Sequence, residues 1–274
     1  MSRLTQSFFT ALAHGRPAVI PYVTAGDPAL GPTADLIEAL AEAGADVIEV
    51  GIPFSDPLAD GPTIQRSGQR SLANGTRVAD VLDAVAEVRR RGVDVPIALL
   101  AYYNCVLRQG EQTFVQQAAA AGADGLIIPD LPPEEATSLR AHARTVGLDS
   151  VPLAAPTSTD ERLRLISATA SGFIYCVSVT GVTGARTQLS NALPAFLRRV
   201  REHVGPEMPI AVGFGISDVD QARTVGRLAD GVIVGSALLD RMEQAGSHRA
   251  AMEVGAAFVA RLRQAVEHVR ADAV

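Results

Sequence analysis

Three times in this chain a helix-like stretch ends in Ala-Asp, turns, and runs at once into four residues nearly free of polar atoms. Residues 43–46 (AGAD) lead into VIEV, residues 121–124 (AGAD) lead through Gly125 into LIIP, and residues 228–230 (LAD) lead through Gly231 into VIVG. So short a run, apolar on both faces, suits a strand of a parallel sheet whose two sides are covered by crossover helices. Further segments read as strands at 17–23 (PAVIPYV), 96–103 (PIALLAYY), 150–155 (SVPLAA), 173–179 (FIYCVSV) and 209–215 (PIAVGFG). Each strand is followed by a helical pattern, at intervals of roughly 34 residues, which matches an eight-fold βα repeat.

The expectation is an α/β fold: a single (β/α)8 TIM barrel over residues 1–274, with an extra N-terminal helix and extra helices in the βα loops. The N-terminal helix is read from the amphipathic residues 1–16. Helical stretches 63–74 and 78–91 follow one another without a strand between, ending at Gly75 and Gly92. A doubly wound open sheet is the alternative, but no GxGxxG follows the first strand.

Composition narrows the chemistry. The sequence holds no lysine, so all 24 cationic side chains are arginine. That excludes Schiff-base chemistry, lysine-bound pyridoxal phosphate and a Walker-type phosphate loop, each of which requires the amine. The histidines (His14, His142, His203, His248 and His268) are scattered and show no ligand spacing, so no metal is expected. Two cysteines without a CxxC, and no signal-peptide pattern, suit a reduced, cytoplasmic protein. A net charge of -6 without a basic tract argues against a nucleic-acid partner. No apolar run approaches the ~18 residues of a membrane span. Carboxylates, hydroxyls and backbone amides remain.

The carboxylates concentrate in residues 46–62, DVIEVGIPFSDPLADGP. Glu49 interrupts a strand buried on both faces, where an unpartnered carboxyl has its pKa pushed up towards neutrality. Prolines 53, 57 and 62 keep the following loop out of strand and helix until about residue 62. That loop carries Ser55, Asp56 and Asp60. One carboxyl at a strand end and a second on the next loop is what acid–base catalysis needs, although loop aspartates also serve as turn-formers and caps. Active sites of barrels lie at the C-terminal ends of the strands. Tyr22, Asn104, Asp130, Thr157 and Tyr175 also stand there, and fewer than half are expected to touch a ligand.

Glycine collects at three late strand ends: 181–186 (GVTGAR), 213–217 (GFGIS) and 235–237 (GSA). Glycine lets backbone N–H groups approach an anion, and barrels commonly seat phosphate in the last two βα loops. Without lysine, amides and the Ser236 hydroxyl would hold it.

Taken together, IEVGIPFSDPLADGPTIQ (48–65), PDLPPEEA (129–136), APTST (155–159), GVTGAR, GFGIS and DGVIVGSAL (230–238) resemble the tryptophan synthase α subunit family along the whole chain. The resemblance implies cofactor-free retro-aldol cleavage of indole-3-glycerol phosphate to indole and glyceraldehyde 3-phosphate. It implies Glu49 as acid and then base, Asp60 as acceptor for the indole N–H, and Tyr175 assisting at the substrate hydroxyl. Tyr22, Ile64, Leu100 and Ile233 would line the indole pocket, with Thr183 closing the sixth βα loop. Gly184, Gly215, Gly235 and Ser236 would cradle the phosphate. It further implies an α2β2 complex with a pyridoxal-phosphate β subunit, docked on residues 53–58, the segment after Asn104, and Pro132. The chain departs from the family pattern at Cys105, Gln109 and Tyr22, where proline, tyrosine and phenylalanine are frequent. A stand-alone lyase releasing free indole, a catalytically silent allosteric subunit, and another phosphosugar barrel enzyme are the alternatives.

Overall fold

A computed structural model describes residues 1–29, 33–177, 191–213 and 215–270. The strands are β1 (Ala18–Thr24), β2 (Ile48–Gly51), β3 (Ile97–Leu100), β4 (Gly125–Ile127), β5 (Asp149–Val151), β6 (Leu153–Ala154), β7 (Ile174–Val177), β8 (Ile210–Gly213) and β9 (Gly231–Val234). Every pairing is parallel, in the order β5-β4-β3-β2-β1-β9-β8-β7-β6. The two ends of that order adjoin in the chain, separated only by Pro152, so the sheet is a near-barrel. Here the structure differs from expectation: the segment 150–155 is two short strands. Proline has no N–H to donate to the ladder, so β5 pairs with β4 and β6 with β7. The Pro152 carbonyl still accepts from the Tyr175 N–H at 3.0 Å.

The first half of the chain supplies α1 (Arg3–Ala13), α2 (Thr33–Glu42), α3 (Pro62–Ala73), α4 (Val78–Arg90), α5 (Tyr103–Leu107) and α6 (Glu111–Ala121). The second supplies α7 (Thr137–Thr145), α8 (Asp160–Thr169), α9 (Leu193–Val204), α10 (Val219–Gly226), α11 (Ser236–Glu243) and α12 (His248–Ala265). Helix α3 starts at Pro62, where the proline loop ends. Helix α5 was not expected: the strand 96–103 stops at Leu100, and the Asp130 carboxylate accepts the Tyr103 N–H at 2.8 Å, capping a short helix.

Alternation along the strands sorts side chains into two cores. Val19, Val23, Val50 and Leu99 pack outward against the helices, whereas Ile20, Tyr22, Ala98 and Leu100 face the barrel axis. The Ala-Asp repeat now has a physical explanation. Gly44 and Gly122 both take φ 94°, the left-handed turn that ends a helix. Each aspartate then caps the neighbouring strand: Asp46 accepts from Val19 N (2.8 Å), Asp124 from Ile97 N (2.8 Å) and Asp230 from Ile210 N (2.9 Å). Arginines complete each carboxylate: Arg16 at Asp46, Arg89 at Asp124, and Arg201 and Arg270 at Asp230. This is the barrel floor, the face whose side chains serve stability.

Helix α1 plugs that floor. Leu4, Phe8 and Ala11 are fully buried, and Phe8 lies 5.1 Å from the Phe173 ring, centroid to centroid. A Cβ at Gly231 would fall 2.5 Å from the Phe8 ring, so the strand opposite must be bare. Phe8→Ala is expected to cost about 3–5 kcal/mol of stability, read as a lower midpoint in denaturant unfolding.

Candidate active site

The alternation that turns Val50 out to the helices turns Glu49 towards the axis, beside Tyr22 on β1 and Ala98 on β3. Glu49 is only 1 % exposed, and neither carboxyl oxygen finds a hydrogen-bond partner among the described residues. A carboxylate there has nothing to replace its hydration. Burial, and then the charge of Asp60, push the Glu49 pKa up to about 8. Glu49 therefore carries a proton at neutral pH.

Asp60 sits at the end of the proline loop, directly before Gly61 and Pro62 open α3. Burial raises its pKa to about 6, while a hydrogen bond from the Tyr102 hydroxyl opposes the shift. The same hydroxyl accepts from the Ala59 N–H at 2.9 Å, and the Tyr102 ring stacks on Phe54 at 5.2 Å. Tyr102 thus pins the loop at both ends. At neutral pH the site holds a protonated acid facing an ionised one, the separation of roles that acid–base chemistry requires.

Two phenols complete the layer. Burial first, then Asp60 for Tyr22 and Glu49 for Tyr175, hold both well above the usual tyrosine range, so both stay neutral donors. Their hydroxyls rest over bare backbone. A Cβ at Gly51 would fall 2.2 Å from the Tyr22 oxygen, and one at Gly213 would fall 2.3 Å from the Tyr175 oxygen. Tyr22 also shares a 3.3 Å hydrogen bond with the Thr24 hydroxyl, which partners the group that phenylalanine would lack.

One cavity brings Tyr22, Glu49, Asp60, Ile64, Leu100, Tyr175, Gly215, Ile233, Gly235 and Ser236 together. Ile216 and Ala237 line it as well. Its far side is the first turn of α11 and the glycine after β8. The opening N–H groups of a helix have no partner within it and favour an anion. The remaining expected residues, Thr183 and Gly184, lie outside the described residues. Among the other strand-end residues, Asp130 caps α5, Asn104 lies within α5, and Thr157 lines a different cleft. That cleft, about 530 Å³ between α7 and α8, has no carboxylate in its lining. The paired acids, not size, single out the cavity at the strand ends as the candidate site.

The family model for the tryptophan synthase alpha chain matches residues 8–267. The chain belongs to the tryptophan synthase alpha chain family. The alpha chain of Roseiflexus castenholzii is 54% identical over 244 residues, covering 89% of this chain and 93% of that protein. The alpha chain of Xanthomonas euvesicatoria is 47% identical over 268 residues, covering 97% and 99%. Solved structures agree: the tryptophan synthase alpha subunit of Legionella pneumophila superposes with a TM-score of 0.88 at 38% identity, covering 97% of this chain and 98% of that one. A chain of tryptophan synthase from Mycobacterium tuberculosis gives 0.88 at 39% identity, with coverage of 97% and 98%.

Sequence reasoning missed Tyr102 and Thr24, which contact the loop and the phenol of the site, and Ile216 and Ala237, which line the cavity. Tyr102 fell inside the expected strand 96–103, which the structure ends at Leu100, so nothing local marked it. Ala237 had a weak signal, as the residue after Ser236 in a helix first turn.

Proposed function

We propose that this chain acts as the α subunit of tryptophan synthase, a carbon–carbon lyase that splits indole-3-glycerol phosphate without a cofactor. The observation that carries the reading is the neutral, unpartnered Glu49 sharing a cavity with the ionised Asp60. Glu49 gives its proton to the indole ring carbon that bears the side chain, while Asp60 accepts from the ring N–H and stabilises the cation that forms. The Glu49 carboxylate then takes the proton of the adjacent substrate hydroxyl, with the Tyr175 phenol beside it. The C–C bond breaks, its electron pair restores the indole ring, and glyceraldehyde 3-phosphate leaves with a new carbonyl. Tyr22, Ile64, Leu100 and Ile233 hold the flat ring. Gly215, Gly235 and Ser236 seat the phosphate, and the family resemblance assigns Gly184 to the same role and Thr183 to closing the sixth βα loop. Residues 1–274 work as one domain in this reading, in the cytoplasm.

Membership of this family implies a β-subunit partner, and we place it on the rim around the proline loop as an α2β2 assembly. Leu58 and Leu107 support this site: they are 88% and 55% exposed on the two segments expected to dock. The test is an indole-release assay on the purified chain, with and without a tryptophan synthase β subunit. Release that rises strongly on addition is the expected result. Full activity alone would favour the stand-alone lyase, and no release under either condition would remove the reading.

A further inference from the structure

Helix α3, which begins two residues after Asp60, has little apolar packing, with Ile64 half-buried against the inner core. Its buried residues are Thr63, Ser67, Gly68 and Ser71. Hydroxyls and a glycine gain little from leaving water, so hydrogen bonds decide where the helix sits. They run to two neighbours. Towards the loop after β1, Asp27 takes Ser67 at 2.6 Å and both prongs of Arg70 at 2.7 and 2.8 Å. Towards α11, one Asp240 oxygen accepts from the Thr63 hydroxyl and from Arg66, each at 3.0 Å, while Glu243 accepts from Arg66 at 3.1 Å and from Arg70 at 2.5 Å, leaving Asp240 as the partner of Thr63. Helix α11 itself is seated differently, by the burial of Leu238, Leu239 and Met242. Asp240 stands one turn along α11 from Ser236 and grips the first turn of α3, next to Asp60.

We infer that Asp240 is a positioning residue, holding Thr63 so that the Asp60 loop keeps a fixed geometry against the helix that seats the substrate's anion. This rests on the lyase reading above. Because α11 keeps its own apolar seat, losing the grip displaces Asp60 and leaves the anion seat in place. A small misplacement of a reacting group lowers turnover steeply.

The test compares Asp240→Ala, Asp240→Asn, Thr63→Val and the Ala/Val double variant in the full chain. Asp240→Ala is expected to lower kcat about tenfold, with calorimetric affinity for glycerol 3-phosphate kept within about twofold. Thr63→Val should give the same loss, and the double variant no more than either single one. Asp240→Asn keeps an oxygen for Thr63 and should recover most of kcat. Backbone amides of residues 62–66 should exchange faster with solvent in Asp240→Ala, a readout independent of turnover. The inference is overturned if Asp240→Ala keeps its kcat, or if the losses add in the double variant. It is equally overturned if glycerol phosphate affinity falls together with kcat and asparagine gives no rescue. Should the parent chain release no indole, the lyase reading fails and the amide exchange alone decides the grip.

Discussion

Glu49→Gln is expected to remove indole release, by about 10³-fold or more, while leaving ligand affinity close to that of the parent. Glutamine fills the same space, so the cavity survives and only the transferable proton is lost. A rapid-quench measurement of indole formation, paired with calorimetry on a non-cleavable indole phosphate analogue, separates the two effects. Substantial residual turnover would show another acid at work. The same change should stabilise the fold at alkaline pH. The folded pKa of Glu49 lies near 8, above its ordinary value of 4.5, so the native state binds more protons than the unfolded chain between those limits. Stability is therefore lost as pH rises through that window. Glutamine does not ionise and escapes the loss. Chemical unfolding at pH 6 and pH 9 checks this: the variant's advantage should be larger at the higher pH.

Asp60→Asn is expected to lower turnover about 10²-fold and to change the shape of its pH profile. On the proposed mechanism, activity needs Asp60 ionised and Glu49 protonated. Rates should therefore fall below about pH 6 and again above about pH 8. Asparagine cannot ionise, so the acid limb should vanish. It also removes the charge that helps to raise the Glu49 pKa, so the alkaline limb should move to lower pH. A variant with near-normal kcat and both limbs in place would demote Asp60 to a loop residue.

The strands were legible because burial on both faces leaves so plain a mark, as at Val47, Ile48 and Val50, or at Val232 to Val234. Glu49 was legible for the same reason: it is the one charge in such a run, and it finds no hydrogen-bond partner among the described residues. The break at Pro152 was less visible, because SVPLAA satisfies the pattern of a strand in every respect except one missing N–H. Helix α5 was hidden, since its cap comes from Asp130, 27 positions along the chain. Tyr102 was missed for a similar reason. Its role depends on the fold carrying it beside Ala59 and Asp60, more than 40 residues away, and no local periodicity records that.

The interruption at Pro152 divides the molecule more deeply than its size suggests. Strands β1 to β5 precede it in the chain and β6 to β9 follow it, and the two sets are joined through the β1–β9 pairing. Both acids, with Tyr22, Ile64 and Leu100, belong to the first set, whereas Tyr175, Ile233 and the described glycines of the cavity belong to the second. On the proposed mechanism, cleaving the polypeptide there would yield one piece with both acids and another with the described glycines that would hold the phosphate. Neither piece alone lines the whole cavity, so indole made by a mixture of the two would measure how well the halves find each other.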